Sequence, residues 1–149
     1  MEMLEDFAAP VWRLLPREPG IAPDSPARAP EGRFHHSGQL AAYASLSAEG
    51  AAVAIRRYLV DGAPRDLVAM RLSASRVADA RGRPEASVVW QDIRAGGAPS
   101  PTWAFSDEAR ASGAQAMLYA SRSRPELSHV VVFDLSCLRY VGPTTAFEP

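Results

Sequence analysis

Two arginines, Arg13 and Arg33, together with His35, Tyr43 and Ser121, are the side chains of this sequence best suited to holding a phosphorylated ligand. A guanidinium presents a rigid fork of donors that can engage two phosphate oxygens at once. Arg33 stands in the run Gly32-Arg33-Phe34-His35-His36-Ser37-Gly38, where hydrogen-bond donors and the aromatic surface of Phe34 crowd into one short stretch. Arg13 lies between Trp12 and Leu14, so in a strand it points away from both, toward either a solvated face or a polar cleft. A neutral His35 suits donation to a ribose hydroxyl or a carbonyl, and the alternative is an ordinary surface histidine. Tyr43 offers a ring for stacking, or is simply a strand aromatic. The pair His35-His36 does not make a metal site, because adjacent strand residues face opposite ways and no Cys, Asp or Glu pattern completes a ligand set. Ser121 has no neighbouring base and no Gly-x-Ser-x-Gly turn, so it reads as a polar ligand contact rather than a hydrolytic nucleophile.

The elements that position these residues follow from the apolar pattern. Val11 to Leu15 reads as a strand stopped by Pro16, and the Pro, Ala and Gly of residues 16–30 read as a long loop shaping the mouth of a site. Gln39 to Ser45 reads as a second strand. Ser47 caps a helix with Glu49 in its first turn; this helix is expected to reach about Leu59, burying Ala51, Ala52, Ile55 and Leu59 with Arg56 and Arg57 at its sides. Leu67 to Leu72 and Val77 to Ala80 suggest two strands paired around Ser73 to Arg76, and Glu85 to Ile93 is helical in character. Ser106-Asp107-Glu108 and Gly113 bracket a short helix, Asp107 to Ser112. Ala116 to Tyr119 and His129 to Leu135 are the last strands, and the tail beyond Val141 reads as irregular. These segments alternate without a βαβ rhythm, which predicts an α+β fold with a mixed or antiparallel sheet.

With 149 residues the chain is the size of one domain able to bury its own core. A net charge of -1 gives no field for nucleic acid or an anionic membrane. Every basic residue is Arg and none is Lys, so arginine positions carry more information than arginine number. A single cysteine, Cys137, excludes an intramolecular disulfide, and the acidic start, Met1 to Asp6, lacks the basic and apolar regions of a secretory signal. The expectation is a soluble cytoplasmic protein.

Trp12-Arg13, the Gly32 to Gly38 run, Tyr43, Trp103 and Gly113 to Arg122, ending in Tyr119-Ala120-Ser121-Arg122, together resemble the RES family of bacterial toxins over Val11 to about Phe133. The resemblance implies a single RES domain over residues 1–149, with 1–10 and 141–149 as peripheral tails, and a split mixed or antiparallel sheet with flanking helices similar to that of ADP-ribosyltransferases. It further implies cleavage of the nicotinamide bond of NAD⁺, as substrate, by hydrolysis, phosphorolysis or ADP-ribose transfer. By the same resemblance Arg13, Tyr43 and Ser121 are catalytic, Arg13, Arg33, Phe34, His35, Tyr43 and Ser121 bind NAD⁺, and no metal takes part. The implied partner is a cognate, Xre-like antitoxin, with a homodimer left open. The family takes its name from an arginine, a glutamate and a serine, and its glutamate is expected about eleven residues after the motif tyrosine. Counting from Tyr43, that position is Ala54. Glu49, five residues earlier and rotated by about 140° on the same helix, and the distant Asp92 are the alternative acids, and a RES-fold protein without catalysis is the alternative function.

Overall fold

The computed structural model describes residues 4–55 and 62–147, with backbone alone for Ile55. Its elements run β1 (Glu5–Pro16), β2 (Ala42–Ser45), α1 (Ala48–Ile55), β3 (Arg65–Asp79), α2 (Trp90–Ala95), α3 (Thr102–Ala111), β4 (Ala116–Ala120), β5 (Ser128–Val132) and β6 (Leu138–Ala146). The sheet order is β1-β2-β5-β4-β3-β6, and β1 also pairs with β3. That second pairing closes five strands into a ring, with β6 attached outside it. Every pairing is antiparallel except β3 with β4, which is parallel, so the fold is mixed α+β. The sheet is continuous and closed rather than split.

Alternation along the central strands separates two cores. Ala116 and Leu118 of β4, Val130 and Val132 of β5, and Ala42 and Ala44 of β2 turn into the ring with Val11, Val68, Met70 and Leu72. Met117, Tyr119 and Val131 turn outward against Phe34, Ala41 and Ala109, beneath α3. These strands are buried on both faces, so they read as apolar runs, and the two-residue period decides which layer each side chain joins.

Several sequence expectations change here. The Ser73 to Arg76 stretch is not a turn between strands: β3 runs straight through it, paired with β1 from Arg65 to Val77. On its other edge β3 pairs with β6 up to Leu72 and with β4 from Val77. In the gap between them the side-chain oxygen of Gln115 accepts the N–H groups of Ser75 and Arg76, at 3.0 and 3.1 Å. Neither expected tail is peripheral in its described part. Residues from Glu5 onward belong to β1, and Leu138–Ala146 forms β6, whose side chains are almost all exposed; backbone pairing with β3 holds it without an apolar signature.

The second strand starts at Ala42 rather than Gln39, and the last ends at Val132 rather than Leu135. The Glu85 to Ile93 segment is a 3₁₀ turn, Pro84–Ser87, followed by α2. α3 begins at Thr102, a turn before the expected Asp107, so Ser106 is no cap; it is buried, and its hydroxyl donates back to the Trp103 carbonyl. Gly113 does end the helix, at φ +86°. Ser47 caps α1, accepting the N–H of Gly50 at 2.9 Å. The expected continuation of that helix through Arg56, Arg57 and Leu59, and the side chain of Ile55, lie outside the described residues. No helix among the described residues is long and apolar enough to cross a membrane.

Candidate functional site

A pocket of about 550 Å³ opens where β1, β2, the 29–35 segment, α1 and the turn after β4 meet. That volume falls in the range of small-molecule sites. Arg13, Arg33, His35, Tyr43, Ser121 and Ala54 all line it. Phe34, expected to touch the ligand, is not part of that lining. It is fully buried in the outer core, edge-on to Tyr119 with ring centroids 4.7 Å apart.

The Gly32 to His36 segment explains that division. A bridge between Gly32 and His35 closes a tight turn that sends Arg33 and His35 to the pocket and Phe34 and His36 to the other side. His36 stacks on Trp103 and bonds Asp107 at 2.9 Å, so the adjacent histidines face apart and cannot share a metal. Among the described residues no three His, Cys, Asp or Glu side chains gather as a metal site. α3 holds the turn by its carbonyls: Trp103 Nε1 donates to Gly32 at 2.8 Å, the Thr102 hydroxyl donates to Arg33, and Arg110 donates to Phe34 and Leu40. Gly32 admits no side chain, because a Cβ there would lie 2.5 Å from the His35 ring and 2.9 Å from the Tyr43 hydroxyl.

Arg13 is 4 % exposed, and its donors are largely occupied. Nε donates to the Tyr43 carbonyl at 3.1 Å, and Nη1 donates to those of Pro23 and Ser25 at 2.7 and 2.8 Å. The side chain thereby anchors the long loop to β2. Burial lowers its pKa to about 10, against the opposing pull of Asp24, and it stays cationic at neutral pH. Arg33 donates through Nε and Nη2 to the Ala86 carbonyl and lies over the rings of Phe34 and Tyr119, 5.2 and 4.7 Å from their centroids. Its pKa is lowered, chiefly by burial and also by the like charge of Arg122.

Tyr43 is not free to stack. Its hydroxyl accepts the Phe34 N–H at 3.0 Å and meets His35 Nδ1 at 2.7 Å, while His35 Nε2 meets the Ala29 carbonyl at 2.9 Å. A carbonyl only accepts, so Nε2 carries the proton and Nδ1 accepts from the phenol. The chain from Ala29 through His35 and Tyr43 to Phe34 is thus satisfied from end to end. Desolvation raises the Tyr43 pKa further above its ordinary value, so the phenol stays protonated. Ser121 is buried, and its hydroxyl accepts the Arg124 N–H at 3.2 Å, pinning the turn between β4 and β5.

Ala54 lines the pocket, so the position expected for the family glutamate faces the ligand space with a methyl group. Neither alternative acid belongs to the lining. Glu49 is exposed and pairs with Arg124 at 2.9 Å, and Asp92 is exposed on α2. Among the described residues the one carboxylate that does line the pocket is Glu31, held by Arg94 with an Nε–Oε1 distance of 2.9 Å. Sequence reasoning passed over Glu31 and His129, and gave Tyr119 and Arg122 a place in the motif but no role of their own. His129 sits 3 % exposed with Nδ1 2.7 Å from the Ser45 hydroxyl, and desolvation, helped by Arg33, lowers its pKa to about 4. It is therefore neutral near pH 7. The alternation of β5, which places Val130 and Val132 in the ring and residues 129 and 131 opposite, was the available signal for His129.

An α+β protein with a closed mixed sheet thus carries a pocket lined by arginine, tyrosine and histidine side chains. The RES domain model matches residues 10–147, and the chain belongs to the RES domain family. A chain in the crystal structure of the M. tuberculosis MbcT-MbcA toxin-antitoxin complex has a similar fold, with a TM-score of 0.74 at 17 % identity, covering 99 % of this chain and 88 % of that one. No curated protein matches in sequence.

Proposed function

We propose that this RES protein is the toxin of a toxin-antitoxin pair and acts on NAD⁺, breaking the nicotinamide bond by hydrolysis, phosphorolysis or ADP-ribose transfer on an ADP-ribosyltransferase-like scaffold in the cytoplasm. The observation that carries this reading is the convergence of Arg13, Arg33, His35, Tyr43 and Ser121 on one pocket of about 550 Å³. Trp12, Trp90 and Tyr119 supply aromatic surface for the nicotinamide or adenine ring along the same lining. Breaking the bond develops positive charge on the ribose, which a carboxylate stabilises. Among the described residues of this surface, Glu31 is the carboxylate available for that role. An Xre-like antitoxin that covers the pocket mouth completes the pair.

One observation favours a second reading, a RES-fold protein that binds nucleotide without cleaving it: the methyl group of Ala54 where the family glutamate is expected. Nicotinamide release by the purified protein, with and without phosphate, decides between the two. Turnover that falls in a Ser121→Ala variant with an unchanged melting temperature supports the enzyme. NAD⁺ binding without release supports the second reading, and neither binding nor release overturns both.

A further inference from the structure

We propose that Arg122, on the turn after β4, is the residue that takes the diphosphate of the ligand, the role that guanidinium chemistry suggested for Arg13 and Arg33. This deepens the NAD⁺ reading and rests on it. Among the described residues, three arginines line the pocket: Arg13, Arg33 and Arg122. The first two spend two of their three nitrogens each on protein acceptors, and the faces of the Arg33 guanidinium are covered by Phe34 and Tyr119. Their geometry is that of cations built into the wall. Arg122 is exposed and makes no hydrogen bond or ion pair with any described residue, so its whole fork of donors is available.

Its backbone, by contrast, is fixed. The Ser121 N–H donates to the Leu127 carbonyl at 2.9 Å, the Leu127 N–H donates to the Arg124 carbonyl at 2.8 Å, and the Ser121 hydroxyl accepts the Arg124 N–H. Arg122 thus projects from a braced turn, and an ordered backbone lowers the cost of seating the side chain on a ligand. The other cation of the turn is already neutralised: Arg124 pairs with Glu126 at 2.7 Å and with Glu49 at 2.9 Å. Among the described residues Arg122 is left as the uncompensated charge at this edge of the pocket, close enough to Arg33 for the two like charges to interact. A doubly charged anion between them relieves that repulsion, and the Ser123 hydroxyl on the same lining is a further donor.

The test is calorimetric titration of wild type and Arg122→Ala with NAD⁺, ADP-ribose and inorganic pyrophosphate, at low and high salt, beside thermal melts. Arg122 makes no hydrogen bond or ion pair with any described residue, so the melting temperature should not move. Affinity for all three probes should fall about tenfold or more, together with most of its salt dependence, and Arg122→Lys should recover part of it. Wild-type NAD⁺ binding that the Arg122→Ala change leaves within about twofold overturns this inference and spares the NAD⁺ reading. If the wild type binds neither NAD⁺ nor ADP-ribose, the NAD⁺ reading fails. Pyrophosphate binding lost in Arg122→Ala would then still support the anion site, and its absence or persistence would overturn that too.

Discussion

Two walls of the pocket are built on opposite terms. The wall of Arg13, His35 and Tyr43 is dense with polar chemistry, yet nearly every polar atom in it already has a protein partner. The wall that α1 contributes consists, among the described residues, of Ala51, Val53 and Ala54, and these offer no polar side chain. The contrast teaches that a conspicuous polar residue in a pocket can serve the architecture first, while a chemically blank position can govern the reaction. Changes in the first wall should therefore register in stability, and changes in the second in turnover.

Removing Arg13 is the hardest blow to the polar wall. Arg13→Ala strips three partly buried carbonyls of their donor, and unfolding free energy should fall by on the order of 3 kcal/mol, read as a lower urea midpoint. An unchanged midpoint would break the distinction between the walls. Acid probes the same wall through His129. Its pKa is depressed in the folded protein, so the unfolded chain binds the extra proton first: stability is intact above about pH 6.5 and falls as pH drops toward 4. The loss approaches on the order of 3 kcal/mol, and in His129→Gln this part of the pH dependence should flatten.

The blank wall is tested by filling it. Ala54→Glu places a carboxylate on the pocket lining and should raise nicotinamide release by about a hundredfold if the missing charge limits the chemistry, with little change in melting temperature. Unchanged release would mean the reaction draws its charge from elsewhere, with Glu31 the next residue to alter. Tyr43→Phe should cost about 1–2 kcal/mol, since it leaves the buried Phe34 N–H and His35 Nδ1 without their partner. Glu49→Gln, in an exposed ion pair outside the lining, should alter neither midpoint nor turnover, and a loss of turnover would return Glu49 to the site.

Much of the polar wall was legible because guanidinium, imidazole and phenol groups are conspicuous by type: Arg13, Arg33, His35, Tyr43 and Ser121 all reach the pocket. Their hydrogen-bond partners were not legible. The Pro23, Ser25 and Ala29 carbonyls that engage these side chains come from a loop, and that of Ala86 from a short 3₁₀ turn, whose courses no local pattern specifies. Phe34 was misplaced because an aromatic beside a polar motif looks the same whether it faces ligand or core. Strand β6 was missed because periodicity reports burial, and a strand wet on both faces has none to report.

The closure of the ring sets where this chain can be trimmed. Similarity to the family model begins at residue 10, yet β1 starts at Glu5, and the stretch before residue 10 pairs Glu5 with Val77, Phe7 with Ala74 and Ala8 with Ser73. Those are the rungs beside the junction where β3 passes from β6 to β4. A chain shortened to the limits of family similarity keeps every pocket residue and still loses the end of the stave that fastens the barrel, like a cask shipped without its last hoop.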